Sequence, residues 1–290
     1  METYFRTVDR EIILDSLTDI ITINPFGDIH RDSTSCDVER WKYWLSRMRK
    51  SHNDKAFYLG MGDYHDFAST SESLILKNPK LHDDTRAMFD MTAQKKNRAL
   101  SAELSFAKGN ILGLIEGNHN WLFMDGQTST DDLAGRLHTQ NLGWLCHYTL
   151  RFKLKYQNSE KQLNNLYIVA CHGKAGGKTA GITINQVDDL KRIFPTADIY
   201  IMGHDHQRGA WPTSTLLPFT DAKGITHIKQ KRQFLARSGA FLKSYSPDKT
   251  SYAVKSLYKP SDLGAISFKI SFHVDKSITY RVITDIEATI

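Results

Sequence analysis

Five short apolar runs in this chain each end in a polar stop built around a glycine. In chain order the stops read G-D-I-H at 27–30, G-D-Y-H-D at 62–66, G-N-H-N at 117–120, C-H-G at 171–173 and G-H-D-H at 203–206. The runs before them, residues 20–26, 56–61, 110–115, 166–170 and 198–202, have the length and character of buried strands. Helical segments lie between. Val38, Trp41, Leu45 and Met48 recur one turn apart within residues 37–50, and Trp44 widens the stripe. Residues 82–107 are rich in helix formers, and 184–194 read as a further helix. Alternating strand and helix predicts an α/β layered fold. Such a sheet delivers Asp, Asn and His to the rim at its strands' carboxyl ends.

After Trp211 the pattern changes. Residues 225–238, 252–258 and 264–284 alternate apolar and polar, as in Ile266, Phe268, Ile270 and Phe272, which predicts half-buried β-structure. The expected organisation is one domain over 1–290, with a helical insertion at about 68–108 and a β-rich C-terminal segment at 211–290. There is no internal repeat, heptad or low-complexity tract.

Hydrophobic content of 40% and charged content of 24% suit a globular chain able to bury its own core without staples. Three widely spaced cysteines, Cys36, Cys146 and Cys171, make neither a disulfide framework nor a zinc knuckle. They point to a reducing compartment. The apolar run at 12–23 is broken by Asp15 and Asp19, unlike a signal peptide. No run approaches the about 18 apolar residues of a membrane span. The expected location is the cytoplasm. A net charge of +6 fits a polyanionic substrate and equally fits ordinary solubility. Basic residues gather at Lys95, Lys96 and Arg98 and at Lys229, Lys231 and Arg232.

The stops carry the chemistry. Asp28 and His30, two apart past a strand, can face one ion. Asp63 has two oxygens with which to bridge two cations, and Asn118 offers an amide oxygen. His172, His204 and His206 offer imidazoles, the commonest transition-metal ligands. This N and O donor mix suits Mn, Fe or Zn better than Ca. Any one of these histidines alone reads as a hydrogen-bonded structural residue; seven candidates at strand ends beside glycines do not.

The order D-x-H, G-D-x-x-D, G-N-H, H, G-H-x-H over residues 28–206 resembles the calcineurin-like metallophosphoesterases. The resemblance implies a four-layer α/β/β/α sandwich. It implies a first metal on Asp28, His30, Asp63 and His206, and a second on Asp63, Asn118, His172 and His204, with Asp63 bridging. It also implies that His119 faces substrate, oriented by Asp66. The two divalent ions would be manganese first, with iron, zinc, magnesium or nickel as alternatives. The protein serine/threonine phosphatases of that group have an Arg and an acid where this chain has Phe67 and Asn120, which disfavours a phosphoprotein substrate. The stretch C-H-G-K-A-G-G-K-T-A-G at 171–181 resembles a subgroup common in phage and prophage genomes.

Within that stretch, G-K-A-G-G-K-T imitates a phosphate-binding P-loop, but only three residues separate the first Gly from G-K-T where four are needed. A P-loop nucleotide-binding protein is therefore disfavoured. The segment reads as a Gly-rich rim whose Lys174 or Lys178 reaches a substrate phosphate, or as a plain loop. Cys171, in an apolar strand, reads as a core thiol and not as a nucleophile beside His172. His65 reads as a substrate contact or an exposed rim residue. The expected activity is binuclear metal-dependent hydrolysis of a phosphate ester by in-line attack of water, on a nucleotide or nucleic-acid end. A phosphatase for another small metabolite, a DNA nuclease acting on polymer, and a catalytically silent scaffold of the same fold are the alternatives. Neither a membrane nor a protein partner is indicated, and a bacterial or phage-infected cell is the expected setting.

Overall fold

The computed structural model describes residues 5–67, 82–157, 159–174, 179–221, 223–245, 252–255, 257, 259–275 and 281–290. All five strands before the polar stops form. β1 (Arg6–Leu14), β5 (Leu145–Tyr156), β6 (Ser159–Cys171), β7 (Ile199–Met202), β8 (Arg208–Thr220), β9 (Thr226–Ala240) and β10 (Gly264–Ala265) make a seven-stranded sheet. Its order is β1-β5-β6-β7-β9-β10, with β8 paired to β9. β2 (Ile21–Phe26), β3 (Ala56–Gly60), β4 (Ile111–Leu114), β11 (Ser267–Asp275) and β12 (Arg281–Thr289) make a five-stranded sheet in the order β12-β11-β2-β3-β4.

The two sheets share one apolar core. Ile21, Ile23, Phe57, Leu59, Phe268 and Ile270 of the smaller sheet pack with Tyr148, Leu150, Ile168, Ile199 and Ile201 of the larger. Helices cover the outer faces. α1 (Val38–Ser51) and α2 (Asp83–Glu103) pack with α3 (Ser129–Leu137) over the five-stranded sheet through Trp41, Trp44, Leu45, Leu100, Leu133 and Phe241. α4 (Ala180–Ile193) packs over the seven-stranded sheet through Val187 and Leu190. This is a mixed α/β architecture with two sheets. Among the described residues no helix is long and apolar enough to cross a membrane.

Local chemistry explains the helices. Asp37 caps α1 by accepting from the Arg40 amide at 3.0 Å, and the expected stripe of Trp41, Trp44, Leu45 and Met48 is the buried face. Thr128 and Asp131 form a reciprocal capping box at the start of α3. That helix was not anticipated, nor were β1 and β5. α4 starts at Ala180, four residues before the expected 184.

One expectation needs correction. Residues 252–255 form one helical turn, α5, not a strand, because the alternation there is too short to recruit a partner strand. The β-rich stretch expected at 211–290 holds β8, β9, β11 and β12, which build into both sheets. β9 runs parallel to β7 inside one sheet, and β11 pairs with β2 inside the other. Of the expected insertion, 68–81 lies outside the described residues; the remainder is α2 and a 3₁₀ turn at Ser105–Ala107.

β2, β3 and β4 are mutually parallel, as are β6, β7 and β9. Their carboxyl ends meet at one rim. There the Asp28 amide donates to Gly62 O at 2.9 Å, Ile29 to Asp63 O at 2.9 Å, and Phe241 to Asp28 O at 2.9 Å.

Candidate metal centre

Each stop turns its strand sharply at that rim. Asp28, His30, Asp63, His204 and His206 all have left-handed backbone, with φ of 45°, 46°, 47°, 71° and 56°. Asp and His tolerate this region better than most residues, yet each instance still costs about 1–3 kcal/mol, and such strain collects at functional sites. Two glycines make room for the cluster. Gly62 has φ of 96°, and a Cβ there would lie 2.6 Å from His172 Nδ1. A Cβ on Gly117 would lie 1.9 Å from Asp63 Oδ1.

The side chains converge in two groups joined by Asp63. In the first, His206 Nε2 is 3.5 Å from Asp28 Oδ1, and His30 Nε2 is 3.9 Å from Asp63 Oδ2. In the second, His172 Nε2 is 3.2 Å from Asp63 Oδ2, 2.9 Å from Asn118 Oδ1 and 3.1 Å from His204 Nδ1. Asp28, His30 and His206, and likewise Asp63, His172 and His204, each offer ligand atoms within 4.8 Å of one another. The seven residues expected as ligands are thus brought together, and these His/Asp groups can hold a metal ion.

The fit to cations can be tested on the buried polar atoms. Asp28 is 0% exposed and His30 2%, yet Asp28 Oδ1 and both ring nitrogens of His30 make no hydrogen bond among the described residues. Unpaired buried polar atoms are costly. Donors of these types facing one another are satisfied by a cation. His172 is oriented for the same task, with Nδ1 2.8 Å from Met61 O, leaving Nε2 to face the cluster.

The donors differ in charge: burial opposes protonation of His172, but Asp63 and Asp28 outweigh it and raise that imidazole to about 9. Burial pushes the Asp28 carboxyl up to about 7, against the pull of His172 and helped by the Asp63 charge. Burial works against the Asp63 charge, but His172 and His30 outweigh it and hold that carboxyl below its usual range. Burial and the His172 charge bring His204 down to about 4; burial and the His30 charge bring His206 down to about 3. Both imidazoles are therefore neutral at ordinary pH, the form that ligates a metal.

His119 stands beside this set, its ring 4.9 Å from that of His30 and edge-on to it. Its Nδ1 is 2.8 Å from Asp66 Oδ1, and its amide donates to Asp63 Oδ1 at 3.0 Å. Burial opposes protonation of His119, but Asp66 and Asp63 outweigh burial and raise it to about 9. The expected Asp66–His119 pair is present in geometry. Asp66 Oδ1 also lies 3.5 Å from His30 Nδ1.

Other expectations fare differently. Lys174 is exposed, with Nζ 4.0 Å from Asp189 Oδ2; Lys178 lies outside the described residues. His65 is not exposed. Its accessibility is 3%, and it packs on Phe67 with ring centroids 4.9 Å apart and with Nδ1 3.7 Å from Asp32 Oδ1. Asn120 Oδ1 accepts from Ser129 Oγ at 2.6 Å, Thr130 N at 3.2 Å and Thr130 Oγ1 at 3.1 Å, which commits it to the start of α3. Cys171 is buried, and burial pushes its thiol up to about 12, as a core thiol requires. The basic clusters are partly spent, since Lys96 pairs with Asp32 at 2.6 Å and Lys231 with Asp198 at 2.8 Å.

Two supporting residues escaped the sequence reading. Asp32 accepts from the Asp66 and Phe67 amides and from Lys96, and so fixes the segment that carries Asp66. Arg237 of β9, 0% exposed, lies behind the G-H-D-H loop. Its Nη1 donates to Gly203 O at 2.8 Å, its Nη2 to Thr183 O at 3.0 Å and Gln186 Oε1 at 2.7 Å, and its Nε lies 3.2 Å from Asp205 Oδ2. An acid between two ligand histidines was the available clue to Arg237: a buried Asp205 needs a cation.

No protein-family model matches the chain, and no curated protein matches it in sequence.

Proposed function

We propose that this chain is a binuclear metal-dependent phosphoesterase of the calcineurin-like type, in the four-layer α/β/β/α arrangement of that fold. The observation that carries this reading is Asp63 Oδ2, which lies 3.9 Å from His30 Nε2 and 3.2 Å from His172 Nε2, one carboxylate oxygen facing both donor groups. Asp28, His30, Asp63 and His206 would hold one cation; Asp63, Asn118, His172 and His204 would hold the other. Two cations so held would supply charge for the phosphoryl oxygens and acidity for an attacking water.

The chain's own residues do the rest. Asp66 and Asp63 outweigh burial and raise His119 to about 9, which favours its protonated form. It can donate a proton to the leaving oxygen, and Asp66 holds the ring through Nδ1. The left-handed turns hold the ligands in place, so little reorganisation accompanies turnover.

A nucleotide or nucleic-acid end is preferred to a long polymer as substrate, because Lys96 and Lys231 are already ion-paired within the protein. Elemental analysis should find about two transition-metal ions per chain, and Mn²⁺ should support chelator-sensitive hydrolysis of nitrophenyl and bis-nitrophenyl phosphate. Asp63→Asn should lose both metal and activity, because it serves both groups. Full metal content and full turnover in that variant would refute the two-metal reading.

A further inference from the structure

Trp144 is the exception among the tryptophans near the rim. Trp41, Trp44 and Trp121 are 0%, 6% and 5% exposed, whereas Trp144 is 45% exposed. Its backbone is nevertheless tightly held. Leu142 N donates to Leu114 O at 2.8 Å, Glu116 N to Gly143 O at 2.8 Å, and His172 N to Trp144 O at 3.2 Å. Gly143 takes a φ of 68°, and its amide donates to Asn141 Oδ1 at 2.9 Å. Asn141 is itself buried and donates to Glu116 Oε1 at 2.7 Å and Asp131 Oδ1 at 2.8 Å. The turn before β5 is thus pinned between the segment leading to Asn118 and the segment carrying His172.

This fixed turn presents a large indole to solvent directly beside a ligand of the second group. The ring centroids of Trp144 and His172 are 5.1 Å apart, with planes at 83°. An indole on a rigid backbone loses little entropy when a flat ring stacks on it. Stacking of this sort accepts any nucleobase, because every base has a π-face.

We infer that Trp144 is a specificity-determining residue, a platform for the base of a nucleoside phosphate whose phosphate sits at the metal centre. This rests on the phosphoesterase reading for the position of the phosphate. Only the base of such a ligand meets the indole, so a phosphate ester lacking a base gains nothing from Trp144.

The test is equilibrium dialysis on the Mn²⁺-loaded full chain. The probes are the methylenephosphonate analogues of adenosine 5′-monophosphate and of ribose 5-phosphate, in which a CH₂ replaces the ester oxygen and prevents turnover. The wild type should bind the adenosine analogue about tenfold or more tightly than the ribose analogue. Trp144→Ala should abolish that ratio while leaving ribose-analogue affinity and metal content unchanged. Trp144→Phe should keep most of the ratio, since a phenyl ring still stacks. A wild-type ratio near one overturns the inference. So does an equal loss for both probes in Trp144→Ala, which would make the indole only a prop for His172. Absence of nitrophenyl phosphate hydrolysis alongside a Trp144-dependent base preference would instead sink the phosphoesterase reading and leave the base platform standing.

Discussion

Replacing Arg237 by Met probes how the centre is held together. The methionine keeps most of the side-chain volume but removes the guanidinium from a site with no exposure. It takes the ion-pair partner from the Asp205 carboxylate, itself 2% exposed, and one donor each from the Gly203 and Thr183 carbonyls. Breaking a buried pair from one side costs about 3–5 kcal/mol, and the lost carbonyl bonds overlap with that figure because the same loop relaxes for all of them. At about 2.1 cal/mol/K per residue, the unfolding entropy of a chain this long is about 0.6 kcal/mol/K, so Tm should fall by about 5–8 °C. Thermal unfolding of Arg237→Met, Asp205→Asn and the double variant would measure it. The double variant should be less destabilised than the sum of the singles by about 1–3 kcal/mol, because each single leaves the other partner buried and unpaired. Metal retention should fall in Arg237→Met as well, since His204 and His206 flank Asp205. A Tm change under about 2 °C, or strict additivity, would refute the clamp.

His119→Asn should keep its metals and slow turnover by about 10²–10⁴. The loss should be smaller for nitrophenyl esters, whose leaving group needs less protonation; Asp66→Asn should show a milder form of the same defect, and a fall in metal content for His119→Asn would make that residue a ligand. Gly117→Ala should displace Asp63, since the added Cβ would sit 1.9 Å from its Oδ1. Metal content should drop by elemental analysis, with about 1–3 kcal/mol lost in urea melts; unchanged metal content would show that the rim yields freely. Asp131→Asn should cost about 0.5–2 kcal/mol at neutral pH as a broken capping box. The Asp131 pKa is lowered in the folded state, where the Thr128 amide and hydroxyl and the Asn141 amide overcome the effect of burial. That contribution is present above the ordinary carboxylate value of 3.8 and lost as pH falls through the lowered one. The stability gap between wild type and variant should therefore close in acid, and a gap constant from pH 7 to pH 2 would contradict the assignment.

Much of the rim was legible in the chain itself. An apolar run stopped by Gly with Asp, Asn or His is a local pattern, and the five strands and seven donors follow from it residue by residue. The stripe of α1 is local in the same sense. β1 was missed because consecutive Asp9, Arg10 and Glu11 break any alternation; Arg6–Leu14 is ordered by pairing with Cys146–Leu154 of β5. The short alternation at 252–258 misled because a strand needs a neighbour, and residues 252–255 turn as a helix instead. The basic cluster at 95–98 looked free, yet its Lys96 neutralises an Asp32 that lies 64 residues away in the chain. Arg237, Asp32 and the exposure of Trp144 were decided only by the tertiary structure. Donor type is a property of each residue, whereas a buried charge's partner and a ring's access to solvent depend on which distant segments pack beside it.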